Sequence, residues 1–232
     1  MKELKEIFEK YGIILNELQT KQFEEYFSLL IETNKVLNLT AITEEHDVIV
    51  KHFLDSVLPA NNFPQNAKVI DVGSGAGFPS IPLKILRPDL KICMIDSLNK
   101  RVNFLHTVVE KLNLKDIKAE HYRAEDYAKK NREIFDVATA RAVASLNTLV
   151  EYLLPFVKVG GSAVIYKSTK LQEELKEAEK AVQILGGKVE KIDKFNIAED
   201  ELERDILVIK KIAHTPMKYP RDKNKPKIQP IK

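Results

Sequence analysis

The chain has little of several features that would define its class. Its 232 residues include a single cysteine and no tryptophan, so an internal disulfide is excluded. No apolar run approaches the roughly 20 residues of a membrane-spanning helix. The charged stretch at residues 1–6 also lacks the apolar core of a signal peptide. These absences favour a cytoplasmic protein with no membrane partner.

Two kinds of functional motif are also missing. The five histidines show none of the spacings typical of metal ligands, and there is no Cys/His cluster, so we expect no metal site. The G-x-x-x-x-G-K-[ST] motif of P-loop nucleotide hydrolases does not occur. The chemistry must therefore be sought in another pattern.

That pattern is a glycine-rich turn at residues 69–77, which read V-I-D-V-G-S-G-A-G. The apolar residues before the glycines predict a short buried strand. Gly73, Gly75 and Gly77 allow the backbone to take positive φ and to lie against a ligand. The helix predicted next presents its free N–H groups at the same place. With Asp96 ending the following strand, this arrangement predicts a nucleoside site in an α/β sheet.

Spacing and charge indicate which nucleoside is bound. A dinucleotide fingerprint has glycines at its first, third and sixth positions, but the sixth position from Gly73 is Phe78, which disfavours a nicotinamide dehydrogenase. Asp71 would repel a pyrophosphate, whereas it suits the sulfonium and amino groups of S-adenosylmethionine. Asp96, followed by Ser97, can accept both ribose hydroxyls; alternatively, Asp96 caps the next helix. We therefore expect S-adenosylmethionine as the cofactor.

Alternating strand and helix patterns predict the fold. Helices are predicted over 2–11, 17–37 (capped by Thr20) and 44–57, ahead of the sheet. Strands are predicted over 67–72, 90–95, 117–121, 134–140, 161–167, 188–195 and 204–211, with helices between the first six. The last two strands form a hairpin around an acidic loop at 198–203. This pattern indicates a Rossmann-like α/β fold of the class I methyltransferase type. It has a seven-stranded, mostly parallel sheet with helices on both faces.

We divide the chain into an N-terminal helical extension (1–66), a methyltransferase domain (67–212) and a basic C-terminal tail (213–232). From Lys210 to Lys232 there are eight Lys or Arg residues and one acid, although the whole chain has a net charge of only +3. Prolines keep this tail extended, and its charge suits a polyanionic partner. A solvated tail, or one packed on the N-terminal helices, is the alternative. We expect the tail to lie outside the constellation of the glycine turn and Asp96.

Two further sites lie at predicted strand ends. Ala124 and Glu125 follow the third strand, where a backbone N–H and a carboxylate can bind the edge of an adenine. Glu125 can instead be an ordinary acid of a helix first turn. Arg141 ends the fourth strand and can contact a substrate base or a phosphate, or form a structural ion pair.

Several short motifs together resemble one known family. They are 38–42 (NLTAI), 52–56 (HFLDS), 71–79 (DVGSGAGFP), Asp96-Ser97 with Lys100-Arg101, 123–125 (RAE), 139–142 (TARA) and 219–221 (YPR). Over nearly its whole length the chain resembles the RsmG (GidB) family.

The resemblance implies transfer of a methyl group from S-adenosylmethionine to N7 of a guanine in the decoding-centre loop of 16S ribosomal RNA. The partner it implies is therefore the small ribosomal subunit. It also implies donor binding by Gly73, Phe78, Ala124, Glu125 and Arg141. Guanine N7 has an in-plane lone pair and loses no proton, so Arg141 is expected to position the reactants rather than to act as a base.

Two other interpretations stay open at this point. One is a methyltransferase that acts on a small molecule or a protein, which the basic tail disfavours. The other is a nucleic-acid-binding module with a vestigial donor pocket, which the retained Asp71, Asp96 and glycines disfavour. We expect the protein to be a monomer.

Overall fold

Seven short apolar segments form a single sheet. The computed structural model describes residues 1, 3–141, 144–167, 171–197 and 202–231. The strands are β1 (Lys68–Val72), β2 (Lys91–Asp96), β3 (Ile117–His121), β4 (Phe135–Arg141), β5 (Val157–Lys167), β6 (Gly187–Ile197) and β7 (Leu202–Lys211). Their order is β3-β2-β1-β4-β5-β7-β6, and β7 runs antiparallel to both of its neighbours. The predicted seven-stranded, mostly parallel sheet is confirmed. Ala142 of the 139–142 motif and residues 198–201 of the predicted acidic loop lie outside the described residues.

Helices cover both faces of the sheet. They are α1 (Leu4–Lys10), α2 (Glu17–Leu37), α3 (Glu45–Val48), α4 (Asp55–Val57), α5 (Ser80–Leu86), α6 (Asn99–Lys111), α7 (Ala124–Ala128), α8 (Leu146–Leu153), α9 (Leu171–Ile184) and α10 (Lys225–Ile228). Short 3-10 turns occur at Ala60–Asn62 and Leu154–Phe156. Successive strand residues point to opposite faces, so Val69 packs with α5 and α6 whereas Ile70 packs with α7, α8 and α9. Within the described ranges, no helix is long and apolar enough to cross a membrane.

The order of the strands in the sheet indicates where a ligand site is expected. β1, β2 and β3 extend to one side, whereas β4 and β5 extend to the other. The switch point therefore lies between β1 and β4, which pair in parallel through Val69–Val137 and Asp71–Thr139. Open α/β sheets bind their ligands outside the carboxyl ends of the strands at such a switch point. The glycine turn after β1 and Arg141 at the end of β4 both lie there.

The N-terminal helices pack on the sheet through aromatic rings. Ring centroids of Tyr26 in α2 lie 5.3 Å from Phe53 and 5.5 Å from Phe78. The Tyr26 hydroxyl also donates to the carbonyl of Ala76 at 2.6 Å. Helix α2 therefore contacts the glycine turn directly, through the ring and the hydroxyl of Tyr26. The predicted division of the chain at residue 66 stays a prediction.

The helix predicted over 44–57 is present as a continuous helical segment, residues 45–57, whose middle part is π-helical. Between α3 and α4 the chain forms a π-helical turn, Ile49–Leu54, a feature that often occurs at functional sites. The cap predicted for α2 is wrong. Asn16, rather than Thr20, caps this helix by accepting from the Gln19 N–H at 2.9 Å, and Thr20 lies inside the first turn.

The C-terminal segment, defined here as residues 213–231, packs against α8 instead of extending into solvent. The Arg221 guanidinium donates two hydrogen bonds to the fully buried carboxylate of Glu151, at 2.9 and 2.7 Å, and the Arg221 backbone N–H donates a third at 2.8 Å. The Thr148 hydroxyl donates to the carbonyl of Pro226 at 2.9 Å. Tyr219 is 8% exposed. The expectation of an extended tail is wrong, because a buried acid on α8 holds one of its cations.

We expect Arg221→Met to lower the free energy of unfolding by about 2–3 kcal/mol, because it leaves Glu151 buried without its counter-charge. The expected loss is smaller than for a fully buried pair, because the Arg221 side chain is partly exposed to solvent. Urea unfolding at neutral pH measures the change. Lys227→Met, at an exposed cation of the same segment, is the control and should change stability by about 0.5 kcal/mol or less. Equal effects would mean that the ion pair does not anchor the segment.

Candidate functional site

The glycine turn is fixed to the end of β2 by Asp96. One oxygen of this carboxylate accepts from the Gly75 N–H at 2.9 Å, and the other accepts from the Leu98 N–H at 2.9 Å. Arg101 lies 3.4 Å from the first oxygen. Gly75 has φ 59°, a conformation that favours glycine. Asp96 therefore holds two backbone segments in place, a role that the sequence analysis did not foresee in full.

Two adjoining cavities open along the carboxyl ends of the strands. The larger cavity has a volume of about 370 Å³, within the range of small-molecule sites, and the smaller one about 180 Å³. Among the predicted site residues, the larger cavity is lined by Gly73, Gly75, Phe78, Asp96, Ser97 and Arg141. The smaller cavity is lined by Gly73, Asp96, Ser97, Ala124 and Glu125. The shared residues make the two cavities one elongated site.

Two predicted residues line neither cavity. Gly77 has φ 103°, and a Cβ there would lie 2.6 Å from Ile81 and 2.9 Å from the Tyr26 hydroxyl, so this glycine serves close packing. Asp71 is fully buried under the turn, and neither carboxylate oxygen has a hydrogen-bond partner among the described residues. Burial raises the pKa of Asp71 to about 7. Because Asp71 lines neither cavity, it would act on a cationic ligand by its electrostatic field across the glycine turn and not by direct contact.

Arg141 is held by groups that the sequence did not connect with it. Its guanidinium donates to Asp55 at 2.9 Å and to the His52 Nδ1 at 3.1 Å. Arg204 of β7 contacts the other Asp55 oxygen at 2.5 Å. The π-helical turn places His52 and Asp55 on the side that faces β4. Arg141 is thus both a cavity-lining residue and a member of a buried ion-pair network.

His52 and Phe78 form a flat wall of the larger cavity. Their rings stack at 4.4 Å, and the Arg141 guanidinium lies 4.8 Å from the Phe78 centroid. Burial, followed by the charge of Arg141, lowers the pKa of His52 to about 4. The ring is therefore neutral at physiological pH. Residues 52–56 were noted only as a family motif, and no spacing rule pointed to a role for this histidine.

His52 connects Arg141 with Thr40 through its two ring nitrogens. Nδ1 lies 3.1 Å from the Arg141 guanidinium, which can only donate, and 3.1 Å from the carbonyl of Lys51, which can only accept. Nε2 forms a hydrogen bond with the Thr40 hydroxyl at 2.8 Å, and the Ile42 N–H donates to the same oxygen at 3.1 Å. Thr40 lines the cavity, so these bonds link the cavity wall to the groups around Arg141.

Glu125 lines the smaller cavity, and one oxygen of its carboxylate, the buried Oε1, makes no hydrogen bond to any described residue. Arg123 lies 3.7 Å from this oxygen. Asn224 of the C-terminal segment lines this cavity too, and its Oδ1 accepts from Arg123 at 3.0 Å. The expectation that the tail lies outside the glycine-turn and Asp96 constellation is therefore wrong, because Asn224 lines the same cavity as Gly73 and Asp96.

The residues present fit S-adenosylmethionine. An unpaired carboxylate oxygen suits the amino group of adenine, and buried acidic groups around the glycine turn suit a cation. Within the described ranges, no group of three or more His, Cys, Asp or Glu side chains is placed to hold a metal ion.

We expect Asp71→Asn to stabilise the ligand-free protein more at about pH 8 than at about pH 4, by about 2–4 kcal/mol. The folded-state pKa of Asp71 is raised, so the penalty for burying its charge grows as pH rises from about 4 to about 7. Below that window the carboxyl is neutral in both states. Urea unfolding of both proteins across this range measures the difference. A difference that does not change with pH would contradict this account.

Comparisons with known proteins agree with the geometry. The family model described as rRNA small subunit methyltransferase G (GidB) matches residues 19–204. The chain is 48% identical to "Ribosomal RNA small subunit methyltransferase G" of Brevibacillus brevis over 97% of both chains. It is 49% identical to the protein of that name from Lachnoclostridium phytofermentans over 95% of this chain and 93% of the other.

Solved structures show the same fold at low identity. A SAM-dependent methyltransferase from Aquifex aeolicus has a TM-score of 0.52 and 16% identity, over 72% of this chain and 93% of that one. M. jannaschii TYW2 in complex with AdoMet has a TM-score of 0.56 and 15% identity, over 74% and 80%. The expected fold and family are confirmed. The chain belongs to the GidB family of S-adenosylmethionine-dependent methyltransferases, described as rRNA small subunit methyltransferase G.

Proposed function

We propose that this enzyme transfers a methyl group to N7 of a guanine in the decoding-centre loop of 16S ribosomal RNA, as a monomer. One observation carries the choice of N7. The titratable side chains that line the larger cavity are unsuited to removing a proton from the substrate. His52 is neutral with a pKa of about 4, and Asp96 already accepts from two backbone N–H groups.

The reaction at N7 suits such a cavity. The donor supplies a methyl group on a sulfonium; the N7 lone pair forms the new C–N bond as the C–S bond breaks, and the positive charge passes to the purine. Arg141 and Phe78 then hold the reactants in place, while Asp96, together with the ionised form of Asp71, favours positive charge nearby. This environment supports a reaction that proceeds by positioning and electrostatics.

The cavities suggest a division of the predicted donor site. We assign the methionine portion to the larger cavity and the adenosine to the smaller one, with the ribose at their junction. The residues assigned are Gly73, Gly75, Phe78 and Arg141 for methionine, Asp96 and Ser97 for ribose, and Ala124 and Glu125 for adenine. Gly77 and Asp71 line neither cavity. Gly77 lets the turn pack closely on Ile81 and Tyr26, and Asp71 in its ionised form acts on the charge of the donor from below the turn.

Exposed lysines of the C-terminal segment are suited to contact RNA. Lys223, Lys225 and Lys227 are all exposed and flank Asn224 at the smaller cavity or follow it closely. Ammonium groups there can meet phosphates without disturbing the buried Arg221–Glu151 pair. We place the phosphate contacts on these lysines.

Replacing the target guanine by 7-deazaguanine should abolish methyl transfer, because a C–H at that position has no lone pair to attack the methyl group. Small subunits reconstituted with the analogue at the target nucleotide, incubated with radiolabelled donor, measure incorporation. The same replacement at a neighbouring guanine is the control and should leave incorporation intact. Continued methylation of the analogue-bearing nucleotide would exclude N7.

The triple variant Lys223→Ala, Lys225→Ala, Lys227→Ala should lower the slope of log affinity for RNA against log salt by about 2–3, at about 0.7–0.9 per phosphate contact. Binding measured at several salt concentrations gives this slope. The matched control replaces Lys176, Lys180 and Lys188, which are exposed but line neither cavity. An equal fall in the control would mean that only net charge matters.

A further inference from the structure

The C-terminal segment reaches the smaller cavity through Asn224. This side chain lines the cavity together with Ala124 and Glu125, although it is about 100 residues away from them in sequence. Arg123 lies between two of these residues, because it donates to Asn224 at 3.0 Å and lies 3.7 Å from Glu125. One wall of the cavity is therefore built from two distant parts of the chain.

The backbone at this point is held in an uncommon conformation. Lys223 and Asn224 have φ values of 57° and 58°, in the left-handed region that costs free energy for residues other than glycine. Asparagine tolerates this region better than most residues do. On either side, the Arg221–Glu151 pair and the Thr148–Pro226 hydrogen bond fix the chain. The position of Asn224 is thus imposed by its surroundings.

The amide of Asn224 retains unused hydrogen-bonding capacity. Its Oδ1 accepts from Arg123, whereas its Nδ2 donates to no described residue. Glu125 lines the same cavity, and its buried Oε1 makes no hydrogen bond to a described residue, with the Arg123 guanidinium 3.7 Å away. A donor and an acceptor on one wall match an adenine edge, which pairs an acceptor ring nitrogen with the donor amino group.

We propose that Asn224 is an adenine-binding residue and that the C-terminal segment completes the adenosine end of the donor site. The Asn224 amide donates to a ring nitrogen, while Glu125 accepts from the exocyclic amine. This inference rests on the assignment of adenosine to the smaller cavity. It also means that donor binding depends on a segment whose exposed lysines we assign to RNA.

Three variants test the proposal. Asn224→Gly keeps the left-handed backbone and removes the amide. Asn224→Asp keeps an acceptor for Arg123 and removes the N–H donors. Asn113→Gly is the matched control, because Asn113 is another left-handed asparagine (φ 50°) just after α6 and lines neither cavity. Calorimetric titration of the RNA-free protein with S-adenosylmethionine gives affinity, and urea unfolding shows that each variant is folded.

We expect both Asn224 variants to bind the donor about 5- to 15-fold more weakly, the effect of losing about one hydrogen bond. The control should bind as the wild type does. Wild-type affinity in Asn224→Asp would overturn the proposal, and so would equal weakening in Asn113→Gly. If the donor binds as predicted but no N7-methylguanine forms, the proposed reaction fails while this inference stands.

Discussion

The two cavities at the carboxyl ends of the strands depend on the hydrogen bond between the Asp96 carboxylate and the backbone N–H of Gly75. This bond joins the turn after β1 to the end of β2, and the second oxygen of Asp96 fixes the chain that leads into α6. Both cavities include Asp96, so their common edge is set by one side chain. A carboxylate that accepts from backbone N–H groups also holds the local charge negative where a cationic donor is expected.

Buried acids connect distant parts of the chain in the same way. Asp55, from the N-terminal helices, binds Arg141 of β4 and Arg204 of β7. Glu151 of α8 binds Arg221 of the C-terminal segment. A buried charge is tolerated when it is paired and hydrogen-bonded, so each pair fixes the relative position of the elements that it joins. Asp71 differs, since it is buried beneath the glycine turn with no cation paired to it among the described residues, and only the nearby Ser80 and Ser74 hydroxyls favour its charge.

The C-terminal segment brings the proposed RNA contacts close to the smaller cavity. Lys223, Lys225 and Lys227 are exposed, and Asn224, which is also exposed, lines this cavity. The two proposed roles share a stretch of five residues, 223–227. A polyanion that binds the lysines would therefore meet the protein next to the wall of the smaller cavity. On these proposals, one short segment takes part in both RNA binding and donor binding.

Local patterns were sufficient to predict the strands, the glycine turn and the carboxyl-edge location of the site, because apolar periodicity and glycine conformation act over a few residues. The family followed from motifs spread along the chain. Tertiary structure alone decided how Arg141 is held, why Gly77 must be glycine and where the C-terminal segment lies. Each of these depends on a partner far away in sequence, such as Asp55, Tyr26 or Glu151. Which buried charge meets which counter-charge is settled only when the elements pack, and no local pattern carries that information.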